Sequence, residues 1–367
     1  LKILQVGSAL YDWGGIERYI DYLTQGLTDR GHEVTVLCPK GSPLDEHVPT
    51  RKLYCGLRKQ HEFSKFPELM KIFQQERWDV VNIHYSRDYL LPALAAKFTK
   101  QPFLMMTRHV VLPWRWIKIK EYMTYFDHIL GVSEAVKEKL LSMGVPEDFV
   151  STAYAGVPPL EPTATPAESR YALGLREDQF VVGYFGRLVP EKGVDTLVRA
   201  AAKLPKNVRV EIFGDGFARA DLEALSLKLL NTNVTFRGMI PDVRNAMSAM
   251  DVIAMPSFWD EAFPYAVLEA NSLSKPVIAT RTGGLPEMIL DGHTGLLFDR
   301  NDSDRLAELI TDLAEHPDRV EEMGFAARER QRELFTVPKM AERIEAVYET
   351  ARSLARDKNR TLQQKTL

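Results

Sequence analysis

Two doubly wound α/β domains are predicted for this 367-residue chain from three features of its sequence. Short apolar runs alternate with helical patterns almost throughout, which argues for parallel sheets joined by right-handed crossovers. The alternation comes as two series of the same style. Between them lies Pro158-Pro159-Leu160-Glu161-Pro162-Thr163-Ala164-Thr165-Pro166, where four prolines in nine residues exclude a helix or a central strand and mark an interdomain linker.

The first series contains strand-like segments at Ile3–Val6, Val34–Leu37, Val80–Ile83, Phe103–Met106 and Ile129–Val132. The second contains Phe180–Phe185, Val208–Phe213, Val234–Phe236, Val252–Met255, Val277–Thr280 and Gly295–Phe298. Helical patterns such as Gly15–Arg30 and Val194–Leu204 fall between them. From about Pro338 the chain reads as a long charged amphipathic helix with a polar tail. The expected division is residues 1–160 and 161–339.

Composition narrows the function classes. An apolar share of 45% and a charged share of 26% are globular values and exclude wholesale disorder. A net charge of −3 without a basic or acidic tail argues against a general nucleic-acid binder. Cys38 and Cys55 belong to no metal or redox spacing, so the chain is expected to be cytosolic. No apolar run approaches the roughly 20 residues that span a bilayer. The sequence enters a strand at once, so no secretion signal is expected.

The second half carries the sharpest chemistry. Gly186-Arg187-Leu188-Val189-Pro190-Glu191-Lys192-Gly193 follows a strand and precedes a helix. A glycine at the strand end lets the backbone turn close to a ligand, and two cations beside a helix N-terminus suit a diphosphate. A surface loop with ordinary charges is the competing reading. In Glu261-Ala262-Phe263-Pro264-Tyr265-Ala266-Val267-Leu268-Glu269, a helix beginning near Pro264 puts Glu269 in its second turn and Glu261 in the loop before it. Two such carboxylates suit vicinal hydroxyls of a sugar or ribose, against a reading as helix capping plus one solvated glutamate. Gly283-Gly284-Leu285-Pro286-Glu287 and Gly214-Asp215-Gly216 admit either a ligand near the main chain or plain turns.

Taken in order, Gly-Arg-Leu-x-Pro-Glu-Lys-Gly, Gly-Asp-Gly, Glu-x7-Glu and Gly-Gly-Leu-Pro-Glu resemble the retaining GT-B glycosyltransferases, group 1, family 4. The resemblance covers nearly the whole chain and is tightest from Val181 to Phe298. It implies two Rossmann-like domains facing across a cleft, with the final helix, about 340–367, returning to the first. It also implies transfer of a hexosyl or N-acetylhexosaminyl group from a UDP- or GDP-sugar to a saccharide or lipid-linked acceptor in bacterial envelope synthesis. By the same resemblance, Arg187 and Lys192 bind the donor diphosphate and Gly186 and Gly214 line its site. Glu261 contacts donor-sugar hydroxyls and Glu269 the ribose. The amides of Phe263 and Tyr265 lie near sugar and phosphate, and backbone at Arg237, Gly238 and Met239 holds the base. Ala262 and Pro264 replace the glycines of the commoner Glu-Gly-Phe-Gly form, and Pro264 has no amide hydrogen to offer a donor.

In the first half, Trp13-Gly14-Gly15-Ile16-Glu17-Arg18 opens a helix after the first strand. The glycines allow a phosphate to approach helix amides, and the family resemblance assigns Gly14 and Gly15 to the donor phosphates. Gly-x-Gly-x-x-Gly is absent. His109, in Met106-Thr107-Arg108-His109, ends a strand where the ligand crevice of such a sheet lies, and the resemblance places it beside the donor sugar as a hydrogen-bonding group. His84 also ends a strand and is expected to be structural. Ser133 reads as a helix cap.

From Tyr89 to Lys120 there are no acidic residues, while Lys97, Lys100, Arg108, Arg115, Lys118 and Lys120 occur with Trp114 and Trp116. Such a stretch (89–120) fits either contact with an anionic membrane surface at the inner face of the cell membrane or a solvated basic face. No metal or cofactor is expected, since fixed cations and helix dipoles can stabilise a departing diphosphate. Asp302-Ser303-Asp304 reads as helix capping. The rival readings are a non-catalytic sugar-nucleotide scaffold and, on the same architecture, a nucleotide-sugar epimerase or a phosphorylase.

Overall fold

The computed structural model describes residues 1–9, 13–113 and 116–364. It divides into a first unit, Leu1–Gly156 with Val337–Leu367, and a second, Val157–Thr336.

The first unit is built on seven parallel strands: β1 (Lys2–Val6), β2 (Glu33–Cys38), β3 (Arg51–Tyr54), β4 (Val80–Ile83), β5 (Leu104–Arg108), β6 (His128–Gly131) and β7 (Val150–Thr152), in the spatial order β3-β2-β1-β4-β5-β6-β7. The inner strands are near-continuous apolar runs because helices cover both faces. Leu4 of β1, for example, sits opposite Thr35 of β2 and Val81 of β4. The sequence reading missed β3 and β7, which are the short outer strands with partly exposed, polar side chains. Edge strands carry little of the apolar pattern that betrays a strand.

The second unit holds β8 (Phe180–Phe185), β9 (Val208–Phe213), β10 (Val234–Gly238), β11 (Val252–Met255), β12 (Val277–Thr280) and β13 (Gly295–Phe298), ordered β10-β9-β8-β11-β12-β13. Its pairings are parallel as well. The core gathers Val182 and Tyr184 of β8, Val210 and Ile212 of β9, and Leu197 and Val198 of the Val194–Ala201 helix. Each sheet reverses its order once, between β1 and β4 and between β8 and β11. Ligands of open parallel sheets bind beyond the strand ends at such reversals.

The Val337–Gln364 helix packs on the first unit. Met340, Ala341, Ile344 and Tyr348 are fully buried. Glu345 reaches Arg30 Nε at 2.6 Å and His32 Nε2 at 2.9 Å. The proline-rich stretch differs from the linker expected. The units divide between Gly156 and Val157, and the stretch is tied to the second unit. There the Leu160 amide donates to Ser272 Oγ and the Thr163 amide to Asn245 Oδ1. Pro166 opens a helix that Thr165 and Glu168 cap reciprocally. Proline is compatible with a first helical turn, so these prolines stiffen a strap and end in a helix.

Candidate functional site

The order reversal of the second sheet brings together the loops after β8 and β11. After β8 the chain passes Gly186 and the exposed Arg187, then makes a single tight turn at Pro190–Lys192. Gly193 ends that turn with φ +61°, and a Cβ there would lie 2.1 Å from the carbonyl oxygen of Pro256. Only glycine lets the two loops come this close. The Phe258 and Trp259 amides then donate to the Glu191 carbonyl at 3.0 and 3.1 Å. This places Lys192 Nζ 2.6 Å from Glu261 Oε1. Two of the residues singled out by sequence, 69 positions apart, therefore form one ion pair.

Ser257, which the sequence reading did not identify, donates to the same Glu261 oxygen at 2.6 Å. Ser257 is fully buried, and its carbonyl accepts from Thr280 Oγ1 at 2.8 Å. The Gly284 amide donates to the Glu261 carbonyl at 2.7 Å, so Gly283-Gly284 acts on the site by holding Glu261. Glu261 Oε2 takes no hydrogen bond among the described residues. Arg187 pairs with no carboxylate among them. A second cluster that sequence reasoning missed joins Asp260, Thr282 and Arg300.

The strand-end glycines meet edge to edge. Gly214, with φ +136°, packs so closely that a Cβ would sit 1.8 Å from the Gly186 carbonyl oxygen. The Gly214 amide donates to the Gly238 carbonyl at 2.8 Å. Met239 is largely exposed. Phe263 and Tyr265 are buried, Phe263 with its ring 5.4 Å from Phe335. The helix begins at Tyr265 and runs to Ser272, which puts the buried Glu269 in its second turn, with Pro264 just before it.

The Arg237 side chain is committed to structure. Its Nε lies 2.6 Å from Glu211 Oε2, and its Nη2 donates to the Leu173 carbonyl at 2.6 Å. Glu211 is fully buried on β9, and burial raises its carboxyl above the ordinary range while Arg237 counters. Breaking a buried pair from one side leaves an uncompensated charge. Arg237→Leu is expected to destabilise the second unit by about 3–5 kcal/mol, measured by urea unfolding at pH 7.

In the first unit, the Gly14 amide donates to Glu17 Oε2 at 3.0 Å, and Tyr85 donates to the other oxygen. The helix Gly15–Asp29 thus starts with its flanking amide on an internal carboxylate. His109 and His84 are brought together, Nε2 of His109 lying 3.1 Å from Nδ1 of His84. His84 Nε2 meets Gln5 Oε1 at 2.7 Å. Tyr19 packs edge-on against His109, with ring centroids 4.6 Å apart. Burial first, and then the Arg108 charge, lowers the His109 pKa to about 3. His84 is lowered well below its usual value by burial and by His109.

An imidazole held neutral in the fold costs stability where the unfolded chain would take a proton. Its stabilising effect is complete above about pH 6.5 and is lost as pH falls toward about 3. Wild type is therefore expected to lose up to about 1.4 kcal/mol per pH unit over this window relative to His109→Gln, measured by denaturant unfolding at each pH.

Ser133 caps its helix by accepting from the Val136 amide, and Asp302 accepts from the Arg305 amide. In the basic stretch, Lys97 pairs with Asp127 at 3.0 Å and Lys118 with Glu121 at 2.7 Å. Arg108 is buried and donates to the Leu112 carbonyl. Acidic residues from outside the stretch thus offset part of its charge. Trp114, Arg115 and the Trp116 side chain, on which the membrane-surface reading also leaned, lie outside the described residues. Among the described residues no helix is long and apolar enough to cross a membrane.

Comparison with known proteins follows the division into units. Residues 167–330 match the family model for glycosyl transferases group 1, and residues 13–159 match that for glycosyltransferase family 4. A GDP-mannose-dependent alpha-(1-6)-phosphatidylinositol monomannoside mannosyltransferase of Mycolicibacterium smegmatis is 28% identical over 86% of this chain and 89% of its own length. A D-inositol 3-phosphate glycosyltransferase of Mycobacterium sp. (strain KMS) is 33% identical over 65% of this chain, a match that spans 55% of that relative's length. The crystal structure of Anabaena HepE with UDP and glucose superposes with a TM-score of 0.83 at 22% identity, covering 95% of this chain and 99% of that one.

Proposed function

Because this chain belongs to the group 1 glycosyltransferases of GT-B fold, we propose that it moves a hexosyl or N-acetylhexosaminyl group, with retention of configuration, from a nucleoside-diphosphate sugar to an acceptor hydroxyl. The observation that carries this reading is the Lys192–Glu261 pair at the order reversal of the second sheet, with Arg187 exposed in the same loop. Ammonium, guanidinium and the Tyr265–Ser272 helix start offer fixed positive charge to a diphosphate. Glu261 offers its second oxygen to sugar hydroxyls.

In the proposed reaction the bond between the anomeric carbon and the β-phosphate oxygen breaks. The charge developing on that oxygen is stabilised by Lys192 and Arg187. The acceptor hydroxyl adds to the same face, and its proton passes to the departing phosphate. The products are a glycoside and a nucleoside diphosphate, so charge and atoms balance without a side-chain nucleophile or a metal ion. Gly186, Gly214 and the backbone of Arg237–Met239 would line the nucleotide site, the amides of Phe263 and Tyr265 would face sugar and phosphate, and Glu269 would take the ribose. In the first unit, Gly14 and Gly15 would leave room for a phosphate, and His109 would accept a hydrogen bond from a sugar hydroxyl.

The acceptor in this reading is a saccharide or lipid-linked molecule of bacterial envelope synthesis; the names of two relatives, one acting on inositol 3-phosphate and one on a phosphatidylinositol mannoside, support a polyol or glycolipid acceptor. Incubation with UDP- and GDP-sugars, with and without such acceptors, tests the reading through the nucleoside diphosphate released. Release that rises with acceptor is the expected result. Donor binding without release under any acceptor would mean a sugar-nucleotide scaffold instead.

A further inference from the structure

We propose that Tyr348, Gln5 and His84 form a positioning chain that fixes His109 as the tautomer with a proton on Nε2, so that its Nδ1 presents a hydrogen-bond acceptor. The functional consequence rests on the glycosyl-transfer reading, whereas the tautomer itself does not.

The chain can be followed atom by atom from the C-terminal helix. Tyr348 is fully buried, and its hydroxyl oxygen accepts from Gln5 Nε2 and from Asn82 Nδ2, each at 3.3 Å. Asn82 Oδ1 in turn accepts from Thr107 Oγ1 at 2.8 Å. With its NH2 group on Tyr348, Gln5 can turn only its carbonyl oxygen to His84 Nε2, 2.7 Å away. An amide oxygen accepts, so His84 Nε2 must carry the hydrogen.

Burial keeps the second His84 nitrogen unprotonated at neutral pH, so Nδ1 is an acceptor. The group 3.1 Å from it, His109 Nε2, is then the donor. One ring proton is thereby spent, and in a neutral ring Nδ1 holds a lone pair. His109 Nδ1 takes no partner among the described residues, and the residue as a whole is half-buried.

Each link spans a large sequence separation: 343 residues between Gln5 and Tyr348, 79 between Gln5 and His84. The C-terminal helix therefore contributes a hydroxyl to the wiring behind His109. An acceptor nitrogen suits a sugar hydroxyl that donates. A wrongly protonated ring would oppose that hydroxyl with a second donor. Partners that set imidazole tautomers act in this way in many sites.

Long-range 1H–15N correlation spectra of the full chain labelled with 15N-histidine provide the test, with His84→Gln and His109→Gln assigning the two rings. In wild type, His109 is expected to show a protonated Nε2 and a bare Nδ1. Tyr348→Phe removes the hydroxyl while keeping the ring, which frees Gln5 to turn, and is expected to give His109 as a mixture of tautomers. His84→Leu is expected to lower kcat about tenfold, the worth of one neutral hydrogen bond, with KM for the donor little changed. His84→Gln, which can still accept from His109 Nε2, is expected to recover most of that loss.

A wild-type His109 protonated on Nδ1, or a spectrum untouched by Tyr348→Phe, would overturn the proposal. A chain with the stated tautomer and no donor turnover would instead retire the glycosyl-transfer reading and leave the positioning chain standing.

Discussion

Replacing Lys192 with alanine is expected to slow nucleoside diphosphate release by about 10²–10³-fold, the usual loss when one preorganised electrostatic partner of a transition state is removed. The reason lies in where Lys192 is held. Gly193 and the amides of Phe258 and Trp259 fix its turn against the loop after β11, and Glu261 holds its ammonium at 2.6 Å. The charge is thus in place before a donor arrives, so little reorganisation is needed as the phosphate oxygen becomes anionic. Its side chain is only 23% exposed, which keeps solvent from screening that charge fully.

The fold should tolerate the change, because Glu261 keeps Ser257 and the backbone tie at Gly284. Steady-state kinetics with a saturating acceptor, read beside the melting temperature, separates the two effects. A variant with the wild-type melting temperature and wild-type turnover would remove Lys192 from the site.

Gly214→Ala is expected to be the most damaging small substitution in the second unit. The new methyl group would lie 1.8 Å from the Gly186 carbonyl oxygen, and φ at +136° is itself foreign to a side chain. The obstructing atom is backbone at the end of β8, so relief requires the strand ends to part. Strain and displacement together should exceed about 4 kcal/mol, at the exceptional end for a single change. For a unit of this size that corresponds to a fall of roughly 10 °C or more in its calorimetric transition. Parting the strand ends also moves Arg187, so diphosphate binding should weaken in the surviving folded fraction.

Gly292→Ala provides the contrast. Gly292 also has positive φ, at +78°, but nothing lies within 4 Å of its would-be Cβ. It should cost about 1–2 kcal/mol, the backbone term alone. Equal losses at the two positions would refute the close-approach argument.

These residues differ in how readily the sequence reveals them. The inner strands of both sheets are legible because burial on both faces favours apolar runs, unbroken at Phe180–Phe185 and Val252–Met255. The outer strands β3 and β7 are not, since a strand half in water needs no such run. Lys192 and Glu261 stand in motifs whose order is informative, although their contact across 69 residues is a product of the fold. Ser257 carries no signal of its own. A serine after a strand is ordinary until the carboxylate it serves is in place.

The Gln5–His84–Tyr348 connection is further from view, because it joins the first strand to the last helix through side chains with no shared motif. Arg237 illustrates the opposite case. Its position in the family pattern draws attention to the base site, while its side chain serves the buried Glu211. The proline-rich stretch was legible as irregular backbone. Which unit it is tied to depends on Asn245 and Ser272, far along the chain.

A crystal structure of the full chain with UDP or GDP bound puts the account of the donor site at greatest risk. A diphosphate is expected within hydrogen-bonding distance of both Lys192 Nζ and the Arg187 guanidinium, beyond the end of β8. A diphosphate seated elsewhere, with Lys192 still closed on Glu261 and Arg187 in solvent, would contradict it.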